Sequence, residues 1–178
     1  MDVKQYLQQL PPYQKVFKPI TEDPQLTSPQ ISWASKYFSL RLLTGIECNA
    51  IGFFVLGVQS ICVAHEITPE DVIDIMTELA EKTDYLYFDP KSHTVLIRNY
   101  LKWNPPPSPR AVKSMLKDLT RIRKRRGALY PQMLLTLEDH MRRMGEVFDP
   151  AIHKLVAEMV EEYVQEKTGS EECSPAQM

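Results

Sequence analysis

No apolar run in this chain approaches the roughly 20 residues that cross a bilayer, and its first residues lack the charged, apolar and small-residue succession of a secretory leader. The expectation is a soluble, cytoplasmic protein without membrane contact. Cysteine is scarce: Cys48, Cys62 and Cys173 have neither disulfide-type nor metal-type spacing, and an odd number of thiols suits a reducing compartment. Glycine is scarce as well, and Gly45, Gly52 and Gly57 do not make the Gly-x-Gly-x-x-Gly turn that cradles a dinucleotide. His65, His93, His140 and His153 are dispersed, with no His-Glu-x-x-His and no recognisable Cys–His pairing. His65-Glu66 and Glu138-Asp139-His140 read as surface and helix ends. The expectation is no enzyme, no metal and no cofactor.

What is present is charge segregated along the chain. The 178 residues leave room for one ordinary domain and an appendage, and the formal charge of -2 describes neither part. Lysine and arginine crowd into 110–126, whereas acids crowd into 66–89 and again after 146. Prolines divide the chain. Pro11, Pro12, Pro19, Pro24 and Pro29 mark 1–30 as an irregular arm laid over the core, in which 1–10 offers a short helical turn or two and 16–20 an edge strand or an extended segment. Pro105-Pro106-Pro107 is the strongest boundary, because three prolines favour a stiff extended connector.

Between these boundaries lies the organising stretch, 51–103. Thr68-Pro69-Glu70-Asp71 opens a helix by cap, N1 proline and capping-box acid, and the helix runs to about Lys82. Val72, Ile73, Met76, Leu79 and Ala80 form its apolar stripe, leaving Glu70, Asp74, Glu78 and Glu81 for water or a protein partner. Before it come a helix over 32–44, ended by Gly45 and anchored in the core by Trp33 and Phe38, then a strand over 52–56 and a short helix over 58–64. After it, 85–88 and 94–100 are aromatic and β-branched around the turn residues 89–93, a hairpin. The order is that of a winged helix-turn-helix. The fold class is therefore mainly α with a small β-wing, followed by a C-terminal helical extension.

The extension begins with Ser108 as cap and Pro109 at N1. Val112, Met115, Leu116, Leu119 and Ile122 make one face of this helix, and Arg110, Lys113, Lys117, Arg121, Arg123, Lys124, Arg125 and Arg126 its others, up to Gly127. Such a helix neutralises phosphates with little sequence selectivity. The alternative is a face paired with the acidic helix near 150–167, which carries Glu158, Glu161, Glu162 and Glu166. A further helix is expected over 131–144, and a disordered tail from Gly169. In a duplex-reading winged helix the helix at 69–82 enters the major groove; here it is acidic, and a duplex repels it. The hairpin cations Lys91, Arg98 and Lys102 are the better phosphate contacts on that domain.

Leu-Arg-Leu-Leu-Thr-Gly at 40–45, Ile-Gly-Phe-Phe-Val-Leu at 51–56, Thr-Pro-Glu-Asp-Val-Ile at 68–73, Val-Leu-Ile-Arg-Asn-Tyr-Leu-Lys-Trp-Asn at 95–104 and Ser-Pro-Arg-Ala-Val-Lys at 108–113 together resemble the N-terminal region of phage and prophage replication proteins, the replisome-organiser or DnaD-like initiators. The resemblance covers about residues 20–125. It implies a winged-helix domain in a protein of the bacterial host cytoplasm that binds DNA, self-associates and brings a helicase or helicase loader to an origin. Such proteins commonly carry a larger C-terminal domain than the fifty or so residues left here after the basic helix. The expected layout is an arm at 1–30, a winged domain at 31–104, basic and C-terminal helices at 105–168 and a tail at 169–178. The expected function is a DNA-binding replication accessory protein that self-associates through its winged core. A phage-encoded inhibitor of a host nucleic-acid enzyme, acting through the acidic helix, and a winged-helix transcriptional regulator are the alternatives.

Overall fold

The computed structural model describes residues 24–44, 48–106, 108–144 and 148–171. The helix expected over 1–10, the strand near 16–20, the Gly45 cap and the tail from 172 onward lie outside the described residues. The fold is mainly helical with one small antiparallel sheet. It divides into two compact units between Trp103 and Asn104, at the edge of the Pro105–Pro107 connector.

The first unit contains α1 (Pro24–Thr27), α2 (Trp33–Thr44), β1 (Phe53–Val55), α3 (Val58–His65), α4 (Pro69–Lys82), β2 (Leu86–Asp89), β3 (Thr94–Ile97) and α5 (Tyr100–Trp103). The capping signal at Thr68 is realised in full: its hydroxyl accepts from the Asp71 backbone N–H at 3.1 Å, and its own backbone N–H donates to the Asp71 carboxylate at 2.9 Å. These bonds lower the Asp71 pKa and settle where α4 begins. The strand order is β1-β3-β2, so β3 is central, pairing Phe53 with Leu96 on one side and Leu86 with Ile97 on the other. Every residue of β3 is buried, as expected of a strand covered on both faces.

Two elements differ from the sequence reading. The second hairpin strand ends at Ile97, not Tyr100. Its last ladder bonds run from the Ile97 N–H to the Gly52 carbonyl and from the Arg98 N–H to the Tyr85 carbonyl, after which Asn99 starts the helical turn α5. Gly52 has φ +70°, and a Cβ there would stand 2.6 Å from Tyr100, so the chain needs glycine where α5 crosses it. The end of the stretch expected to be irregular forms the short helix α1, with Leu26 buried.

Trp33 is a correction. Expected as a core anchor, it is 85% exposed, while Phe38 is 3% exposed. The inward face of α2 is Ser35, Phe38, Ser39 and Leu42, at three- and four-residue spacing, and the two serines let the helix lie close to its neighbours. Trp33 and Tyr37 fall on the opposite side, where the Lys36 ammonium sits 5.4 Å from the Trp33 ring.

The second unit is α6 (Pro109–Arg125), α7 (Tyr130–Met144) and α8 (Pro150–Glu171), with α8 packed against both others. Its core includes Met115, Leu119, Tyr130, Met133, Leu137, Ile152, Val156 and Met159. The Ser108 hydroxyl accepts from the Ala111 N–H at 3.3 Å, as the cap reading requires. The expected disordered tail is corrected at its start: α8 continues through Gly169 to Glu171.

Replacing Trp33 by Ser is expected to change the unfolding free energy by less than about 0.5 kcal/mol, whereas Phe38→Ala removes a buried ring and costs about 3–5 kcal/mol. Urea unfolding of the two variants checks this; equal losses would return Trp33 to the core.

Candidate nucleic-acid interface

Helix α6 carries most of the candidate residues, and its rotation decides which of them face water. Met115 and Leu119 are 0% exposed, which turns the opposite side of the helix outward. Arg110, Lys113, Lys117, Arg121 and Lys124 are all exposed. At 100° per residue they fall within an arc of about 80° and span about 21 Å of helix axis. Arg125 is exposed on the flank of this stripe. Among the described residues none of these six makes an ion pair, and no acidic side chain lies on the stripe itself.

The remaining two cations are arranged differently. Arg123 lies four residues after Leu119, on the edge of the apolar face, and reaches α8. Its Nε donates to Glu162 at 3.0 Å, its Nη1 to Glu158 at 3.2 Å, and its Nη2 to the other Glu162 oxygen. Arg126, just past the helix end, donates from Nη2 to Glu162 at 3.1 Å and from Nη1 to Glu166. Its guanidinium also lies 5.4 Å from the ring of buried Tyr130. Bonding to these carboxylates raises the pKa of both arginines and lowers that of Glu162. Fork-shaped guanidiniums bridging adjacent carboxylates make a geometrically specific network. The pairing with the acidic helix, open as an alternative from the sequence, holds for these two arginines with Glu158, Glu162 and Glu166. Glu161 instead borders the groove between α7 and α8, with Glu138, Arg142 and His153.

The hairpin cations are not gathered into one surface. Lys91 is exposed in the β2–β3 turn, where the Asp89 carboxylate accepts the Ser92 N–H at 3.2 Å. Lys102 is exposed on α5. Arg98 is committed within its own unit: it pairs with Asp84 at 2.5 Å and lies 5.0 Å from the Tyr87 ring.

On α4, Glu70, Asp74 and Glu81 are exposed along one line of the helix. Glu78 is not among them. Its carboxylate accepts from the Ser32 hydroxyl at 2.6 Å, the Ser32 N–H at 3.4 Å, the Ser35 hydroxyl and the Lys82 ammonium at 2.9 Å. Ser32 stands at the N-cap of α2 and its hydroxyl also accepts from the Ser35 N–H at 3.1 Å, so Glu78 ties α4 to the positive end of α2. These donors lower its pKa from 4.5 to about 2. Lys82, four residues on, is a local partner; the donors from Ser32 and Ser35 converge on Glu78 only when α2 and α4 pack.

Among the described residues no group of three or more His, Cys, Asp and Glu is placed to hold a metal ion, and no helix is long and apolar enough to cross a membrane. Comparison with family models, curated proteins and solved structures found no match to this chain.

A Glu78 whose folded pKa is depressed stabilises the fold fully above its unfolded pKa near 4.5, and this stabilisation fades as pH falls towards about 2. Glu78→Gln is expected to lose about 1 kcal/mol at pH 7, discounted for its partial exposure, and to match the parent chain near pH 2. Denaturant unfolding at the two pH values measures this; a loss that does not depend on pH would contradict it.

Proposed function

We propose that the chain is a winged-helix DNA-binding protein that grips the phosphate backbone through the outward stripe of α6. The observation that carries this reading is the row Arg110, Lys113, Lys117, Arg121 and Lys124, exposed, aligned and free of carboxylates. A row of this kind neutralises successive phosphates and releases their counterions, giving affinity that is steep in salt and indifferent to sequence. The helix–strand–helix–helix–strand–strand order of the first unit, with strand order β1-β3-β2, supports the winged-helix part. In that frame α4 occupies the position of a recognition helix and presents Glu70, Asp74 and Glu81. It therefore reads no bases. Lys91 and Lys102 are exposed on the first unit and lie outside the row that carries the grip.

Within this reading, the replication-accessory role in a phage or prophage, self-association through the winged core and contact with a helicase or its loader follow from the sequence resemblance. The acidic edge of α4 favours one second reading, a protein-binding inhibitor that docks on a basic host surface. A duplex-independent interaction abolished by Glu70→Gln, Asp74→Gln and Glu81→Gln would select it.

The test is binding of labelled single- and double-stranded DNA across a salt series. The parent chain is expected to bind duplex with a log–log salt slope of about -4.5, one counterion per cation of the stripe. Replacing the five stripe residues by Gln removes that binding without loss of fold. No binding of either DNA at low salt would overturn the proposal.

A further inference from the structure

The geometry points to α8 as a built-in competitor for the phosphates that α6 binds: its glutamate row holds Arg123 and Arg126, so that nucleic acid meets the five stripe cations without the two arginines that would raise the set to seven. This inference rests on the proposed function and concerns the regulation of the same site.

Glu158, Glu162 and Glu166 recur every four residues along α8, a row of negative charge about 6 Å apart along the helix axis. Each is bonded to Arg123, Arg126 or both. A guanidinium that accommodates two carboxylates in this way uses the same donor fork that would clasp a phosphate, so the two ligands exclude each other at each arginine. Beyond Met159, Tyr163 still meets the Tyr130 ring at 6.0 Å between centroids, and the same stretch of helix places Glu166 against Arg126.

The arrangement is a competition and not a fixed brace. The side chains of Glu162 and Glu166 are 38% and 61% exposed, and exposed ion pairs are screened and weak. The helix-to-helix core does not depend on them, since Met115, Leu119, Ile152, Val156 and Met159 are buried without their help. Releasing the arginines therefore leaves α6 on α8. Raised salt does not achieve the release productively, because it screens phosphate as well. Neutralising the glutamates, or occupying them with a cationic partner, does.

The experiment is a charge cycle on the full chain, with duplex DNA binding measured across a salt series and thermal melting recorded for every variant. Glu158→Gln/Glu162→Gln/Glu166→Gln is expected to tighten binding at low salt by about ten-fold and to steepen the slope from about -4.5 to about -6.3. Arg123→Gln/Arg126→Gln in the parent chain is expected to change affinity by less than two-fold. In the glutamine-row background the same arginine changes are expected to erase the whole gain. Glu138→Gln/Glu161→Gln, acids of the same unit that touch neither arginine, reports the effect of general charge removal and is expected to leave the slope at its parent value.

An unchanged slope in the glutamine-row variant, or parent-chain binding that already needs Arg123 and Arg126, would overturn the inference and leave the stripe proposal standing. Absence of binding by parent and glutamine-row chains alike would overturn both.

Discussion

Burial of Met115 and Leu119 against the rest of the second unit sets the rotation of α6 about its own axis, and with it the sorting of its cations. A turn of 100° per residue then leaves no freedom. Arg110, Lys113, Lys117, Arg121 and Lys124 must point to water, and Arg123 must lie along the edge of α8. Two apolar side chains with no chemistry of their own thus decide which charges are offered and which are held.

The first unit is governed by a comparable constraint at α2 and α4. Small Ser35 and Ser39 bring α2 close, and the approach creates a site for Glu78 among the hydroxyls of Ser32 and Ser35, the Ser32 N–H and the Lys82 ammonium. One acid of α4 is thereby spent on structure. The others, Glu70, Asp74 and Glu81, remain exposed to solvent. Helix α4 is acidic and helix α6 basic, and the glutamates of α8 offset much of the charge of α6 within the second unit.

Much of this was legible in the residues. The capping box at Thr68–Asp71 located α4, Pro69 and Pro109 marked two N-termini, and the proline run at 105–107 marked the unit boundary, because each acts through local backbone geometry. The basic face of α6 was legible from periodicity. What local pattern could not supply was set by packing between elements. Trp33 is large and apolar, yet the serines opposite it proved the better neighbours for α4. Glu78 has the same spacing as its exposed relatives and differs only in what α2 brings to it. Arg123 and Arg126 look like members of one cluster with Arg121, Lys124 and Arg125; counting from Leu119 would have separated Arg123, but only the length and placement of α8 identify its partners. Gly169 argued for a helix end, and α8 nevertheless runs on to Glu171.

The most direct measurement is a nuclear magnetic resonance titration that follows the lysine ammonium and arginine Nε–H signals as an unlabelled DNA duplex is added. The account predicts shifts at Arg110, Lys113, Lys117, Arg121 and Lys124, with the Nε–H signals of Arg123 and Arg126 and the backbone of α4 left in place. Shifts centred on α4, or equal shifts at all eight cations of 110–126, would contradict it.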